Sequence, residues 1–205
     1  MSGFVCETCG TLFPETPAPP ASCPICEDER QYVGPRGQVW RPFAELARTH
    51  RNAWALHRPG LFSLETVPHF AIGQRAFLLC TEAGNVLWDC LTLLDPATEA
   101  LIGRLGGLAA IAISHPHYYA AMSVWGARFS CPVHLHADDR AFVMCPDPCL
   151  RFWQGETAPL LPGLTLIRCG GHFAGGTVLH WAEGAGTLFS GDILQVAADR
   201  RFVSV

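Results

Sequence analysis

Between residues 61 and 91 the apolar positions fall in short runs: Leu61–Val67, Phe70–Ile72, Ala76–Thr81 and Val86–Leu91. Turn signals at Gly73-Gln74 and Gly84-Asn85 break them, which predicts strands. Upstream, Phe43, Leu46, Ala47, Trp54 and Leu56 recur at rough helical spacing, with Pro42 suited to a first helical turn and Pro59-Gly60 as the stop. Downstream, Pro96–Leu105 reads as a helix capped by Asp95 and ended by Gly106-Gly107. Leu108–Ser114 is an unbroken apolar run, as expected of a strand covered on both faces. A helix over Tyr118–Phe129, a strand over Val133–His136 and a helix over Asp138–Met144 follow. Leu164–Arg168, Thr177–Trp181 and Thr187–Ser190 read as closing strands. Strands, then helices alternating with strands, then strands again predict sheet layers flanked by helices.

The first thirty residues follow no such rhythm. Cys6-Glu7-Thr8-Cys9-Gly10 and Cys23-Pro24-Ile25-Cys26 make two C-x2-C turns, separated by a spacer containing Pro14, Pro17, Pro19 and Pro20. Each turn aims two thiolates at one point, and two such turns close a tetrahedral four-sulfur site. So short a segment cannot bury enough apolar surface alone, so a metal supplies the missing stability. The segment resembles a rubredoxin-like zinc ribbon. The second knuckle runs into Glu27-Asp28-Glu29 instead of the glycine common in electron-carrying rubredoxins, so zinc is the expected ion and iron the alternative. A protein partner at the ribbon surface is a further expectation.

Composition narrows the classes. Apolar residues are 49% of the chain and charged residues 16%, enough for a real core and against disorder. A net charge of −4 gives no basic footprint, so neither nucleic acid nor an anionic membrane is expected as a partner. The N-terminus lacks the basic and apolar regions of a signal peptide, and no run is long enough to span a bilayer. The expectation is a soluble cytoplasmic protein in which ten cysteines stay reduced. Cys80, Cys90, Cys131 and Cys169 are read as small core residues.

Histidines supply the second candidate site. His115 and His117 follow the buried run, His172 sits in Gly170-Gly171-His172-Phe173-Ala174-Gly175-Gly176, and Asp192 closes Ser190-Gly191-Asp192. Three imidazoles and a carboxylate at strand ends suit a catalytic metal on a sheet edge.

That order of motifs resembles the metallo-β-lactamase superfamily. The resemblance implies an α/β (α+β) fold, a four-layer αββα sandwich with metal at one edge. Three segments are expected: the ribbon at 1–30, a helical connector at 31–60 and the metallo-β-lactamase-like domain at 61–205. His115 and His117 match the first two histidines of the family's His-x-His-x-Asp-His motif. Tyr119 and Ala120 stand where that motif has its Asp and last His. His172 and Asp192 match the later ligands, and Asp89 matches the Asp that braces the motif's loop. The final C-terminal His has no counterpart, because the chain ends at Val205. The domain is therefore expected to be a pared-down member or a clipped one, without the second metal.

The function expected is a metal-dependent hydrolase acting on a small-molecule ester, thioester or lactone. One zinc or iron, held by His115, His117 and His172 with Asp192 as fourth ligand or water partner, activates a water. Tyr119 is expected as a weak hydrogen-bond donor there. The alternatives are a mononuclear non-haem iron oxidoreductase using His115, His172 and Asp192, and a non-catalytic binding module with a degraded site.

Overall fold

The computed structural model describes residues 3–28, 31, 33–35, 37–197, 199 and 201–204. Met1, Ser2, Glu29 and Arg30 of the expected ribbon segment, and Val205 of the expected domain, lie outside the described residues. Three short antiparallel strands open the chain: β1 (Phe4–Cys6), β2 (Leu12–Phe13) and β3 (Trp40–Pro42), in the order β2-β1-β3. Helix α1 (Phe43–Thr49) follows β3 directly and buries Leu46. It stops at the extended residue His50, and β4 (Arg51–Arg58) begins at once. Trp54 and Leu56, expected on a helix, therefore lie on a strand. They are two residues apart, which is the strand period; on a helix residues two apart point to opposite sides.

Seven strands make the main sheet, in the order β10-β9-β8-β7-β6-β5-β4. Here β5 is Leu61–Val67, β6 Arg75–Thr81, β7 Gly84–Trp88, β8 Ala110–Ala112, β9 Val133–His136 and β10 Leu150–Trp153. Strands β4 to β7 run antiparallel as a meander, and β7 to β10 run parallel. Helices α2 (Pro96–Arg104) and α3 (Met122–Phe129) lie in the connections around β8. Asp95 caps α2 as expected, accepting from Thr98 N at 2.7 Å. The long helix expected from Tyr118 is instead a short 3-10 helix, Pro116–Tyr118, and then α3. Ala120, at φ +43°, interrupts them. Phe70–Ile72 forms no strand, and the helix expected over Asp138–Met144 is a 3-10 helix over Ala137–Phe142.

A second sheet of four antiparallel strands stacks on the first: β11 (Thr157–Leu161), β12 (Leu164–Arg168), β13 (Thr177–Trp181) and β14 (Thr187–Phe189). A small hairpin, β15 (Gln195–Val196) and β16 (Val203–Ser204), follows. Alternation divides the main sheet between two cores. Leu79, Val86, Trp88, Ala110 and Ala112 face Leu164, Leu166, Leu179, Trp181 and Phe189 of the second sheet. Their neighbours Leu78, Leu87 and Ile111 face Leu46, Ile102 and Trp125 of the helices. The result is an α/β sandwich. Among the described residues no helix covers the outer face of the four-stranded sheet, where a fourth layer was expected. No described helix is long and apolar enough to cross a membrane.

Candidate metal centre

Two clusters of potential ligands form, and both contain the residues singled out from the sequence. In the ribbon, Cys6 Sγ lies 3.7 Å from Cys26 Sγ, and Cys9 Sγ 3.6 Å from Cys23 Sγ. All four are buried and none forms a disulfide. Four sulfurs at 2.3 Å from one ion would have tetrahedral edges of about 3.8 Å, so the spacing fits. Hydrogen bonding from Cys23 and Cys26 favours the Cys6 thiolate, whereas hydrogen bonding with Cys23 and Cys6 pushes the Cys26 thiol up.

The histidine cluster sits where the two sheets meet. Parallel strands β7 and β8 end side by side, and Asp89 N donates to Ala112 O at 2.8 Å. Ser114 and His115 follow β8, and Thr177 N at the start of β13 donates to Ser114 O at 2.8 Å. That bond fixes the His172 loop of one sheet against the His115 loop of the other. The turn after β14 then carries Asp192 into the junction. Gly191 makes that approach at φ +57°, where a Cβ would lie 2.6 Å from Ser114 Oγ.

The ligand atoms converge. His115, His117, His172 and Asp192 each offer an atom, all within 4.8 Å of one another. His172 Nε2 is 3.2 Å from His117 Nδ1, and Asp192 Oδ1 is 3.0 Å from His115 Nε2 and 4.0 Å from His172 Nε2. Donors at 2.0–2.1 Å from an ion would have edges of about 3.3 Å, close to these values. His115 Nε2 and Asp192 Oδ1 are buried and, despite their 3.0 Å approach, make no directed hydrogen bond to each other or to any described residue. Buried polar atoms are normally satisfied, so an orphaned pair at the focus of the cluster fits a metal ion. Burial and the neighbouring His115 and His172 depress His117 to about 4, leaving it neutral with one nitrogen lone pair for a metal. Burial opposes ionisation of Asp192, but His115 and the other two imidazoles outweigh it and hold the carboxyl below its ordinary value.

Asp89 acts at one remove. Its Oδ1 accepts Ser114 N at 2.8 Å, and Ser114 Oγ lies 2.9 Å from His115 Nδ1. Asp89 thus reaches the imidazole through Ser114, which the sequence reading did not single out. Burial pushes Asp89 up to about 7, against the hydrogen bonds from Ser114. Tyr119 does not face the cluster: its hydroxyl is 3.4 Å from Asp139 O and its ring is in the core. Tyr118 stands there instead, its ring 5.4 Å from that of His115. Ala120 presents its carbonyl to Leu12 N of the ribbon at 2.9 Å. The positions that the resemblance assigns to second-metal ligands are thus core and ribbon contacts. Cys169, expected in the core, is exposed, and Cys80 is partly so. Asp139 also went unnoticed: its Oδ1 accepts Gly175 N at 2.8 Å and holds the glycine loop. No local sequence signal marks Ser114 or Asp139, because their partners are distant in the chain.

A groove of about 490 Å3, bordered by Arg75, Phe77, Tyr118, Leu188 and Phe189, reaches Asp89 and Gly191 but not the four clustered side chains themselves.

No family model matches the chain. The DIM-1 metallo-β-lactamase, in a structure exposed to ceftazidime, superposes with a TM-score of 0.58 at 13% identity over 74% of each chain. A Cronobacter sakazakii metallo-β-lactamase motif mutant superposes at 0.51 with 20% identity, over 66% of this chain and 60% of its own. In sequence, the uncharacterized protein YmaE of Bacillus subtilis is 47% identical over 209 residues, covering all of this chain and 76% of YmaE. The chain therefore belongs to the same family as YmaE, and its fold is that of the metallo-β-lactamases.

Proposed function

We propose that the protein is a metal-dependent hydrolase acting on a small-molecule ester, thioester or lactone in the cytoplasm, with one metal in the histidine centre. The observation that carries this is the convergence of His115 Nε2, His117 Nδ1, His172 Nε2 and Asp192 Oδ1, with the first and last of these buried and otherwise unpartnered. When bound, a divalent ion supplies Lewis acidity for polarising a carbonyl and acidifying water. The three imidazoles would hold it. Ser114 fixes His115 through Nδ1, so that Nε2 stays directed into the site. Asp192 is the most exposed of the four and ionised at neutral pH, so it closes the donor set or accepts a proton of water at the open edge. The groove that reaches Asp89, Tyr118 and Gly191, with Phe77 and Phe189 as apolar wall, is the proposed substrate site. At the four-cysteine site zinc is proposed as a structural ion.

An iron triad of His115, His172 and Asp192 would leave His117 aside, yet its Nδ1 lies nearer to His172 Nε2 than Asp192 Oδ1 does. That favours the three-imidazole reading. Metal analysis with a panel of esters, thioesters and lactones tests it. Two metal equivalents and turnover are expected, with one equivalent and all turnover lost in His115→Ala and His172→Ala. A single equivalent that survives both substitutions would refute the proposal.

A further inference from the structure

We infer that the four-cysteine ribbon is a positioning part of the histidine centre, acting on it through Phe173 and Gln74. The inference rests on the metal-ligand reading of His115, His117 and His172.

Phe173 follows His172 directly, yet its side chain belongs to the ribbon. It is buried in one cluster with Cys6, Cys9, Cys23, Cys26, Phe13 and Ile25. The same ring lies 4.9 Å from His172, 5.1 Å from His117 and 5.7 Å from His115, centroid to centroid. One aromatic ring therefore touches all three imidazoles and forms part of the packing around the four thiols.

The loop needs such an anchor. Gly170 and Gly171 precede His172, and Gly175 and Gly176 follow Ala174. Glycine backbones lose the most freedom on ordering, so the loop depends on its bonds and on a side-chain anchor to stay in place. Phe173 is its one large buried side chain, and its socket is built by the ribbon and Phe142. The bonds at Gly175 and Thr177 tie the end of the loop to Asp139 and Ser114, and the ribbon's socket for Phe173 adds a hold beside His172 itself.

Gln74 makes the second link. Its Nε2 donates to Cys9 O at 2.5 Å and to His117 O at 3.0 Å. A single buried amide thus clamps the first knuckle to the loop bearing two of the imidazoles. Further bonds keep the ribbon seated: Thr92 Oγ1 donates to Gly10 O at 2.6 Å, and Cys145 Sγ to Leu12 O at 3.2 Å. These reinforce docking without touching a histidine, so they are expected to matter less to the centre.

Replacing a cysteine would unfold the ribbon outright, so the test uses Phe173→Ala, Phe173→Leu and Gln74→Ala in the full chain. Cobalt reports each site separately, through thiolate charge-transfer bands at the cysteines and weaker visible bands at the histidines. Zinc affinity is read by chelator competition. In Phe173→Ala and Gln74→Ala the charge-transfer bands and cooperative unfolding should persist. Zinc affinity at the histidines should fall tenfold or more, with altered visible bands. Phe173→Leu should recover most of the loss. If Phe173→Ala fails to fold, Gln74→Ala is judged by the same criteria. Parent-like affinity and bands in the folded variants would overturn this inference alone. A parent protein that binds metal only at the cysteines would overturn the ligand reading with it.

Discussion

Ser114 carries more of the histidine centre than its size suggests. It receives Asp89 through its N–H and meets His115 Nδ1 through its hydroxyl. Partners of this kind fix the tautomer of a ligand imidazole. Ser114→Ala is expected to weaken metal binding at the histidines about 10- to 100-fold, as outer partners of metal ligands do. The cysteine site should be unchanged; chelator competition reads both. Gly191 is constrained for a different reason. A Cβ there meets Ser114 Oγ at 2.6 Å while the backbone stays at φ +57°. Gly191→Ala should therefore cost about 1–3 kcal/mol in urea unfolding. A cost near zero would mean that the turn does not press on Ser114.

Elements were legible where one period dominated. The doubly covered β8 and the Asp95-capped α2 follow from apolar continuity and a cap residue. Trp54 and Leu56, two apart, fit the strand period once separated from Phe43, Leu46 and Ala47, and their strand is completed by pairing of β4 with β5. Asp95 joins both elements: Oδ1 caps Thr98 N, and Oδ2 accepts Asn52 N of β4 at 2.7 Å. Its loss removes a cap and leaves a second donor unsatisfied. Asp95→Ala is expected to cost about 2–4 kcal/mol, more than an ordinary cap. Equilibrium unfolding against a surface cap variant measures the difference.

Over the whole molecule, the cysteine and histidine clusters are joined by packing between a segment that begins the chain and loops far along it. The four ribbon thiols are shielded in the folded protein, while Cys169 is exposed. Rapid thiol labelling of the metal-loaded protein should therefore mark Cys169 first. Chelation should then add Cys6, Cys9, Cys23 and Cys26, with a lower melting temperature, as expected where a bound metal stabilises so short a segment. Labelling of all four before chelation would contradict a closed, metal-held ribbon.

The ligand types were readable from the sequence, since C-x2-C turns and histidines at strand ends are local patterns with specific coordination chemistry. The four cysteines, His115, His117, His172 and Asp192 could all be named that way. Of what surrounds them, Asp89 alone was named, through the resemblance and not through spacing. The Asp89–Ser114–His115 relay, the Gln74 clamp and the Phe173 socket each join residues distant in sequence. So does the turning of Tyr119 away from the cluster in favour of Tyr118. Spacing along the chain encodes which donors are available. Only the packing of two sheets and a ribbon decides which atoms face one another.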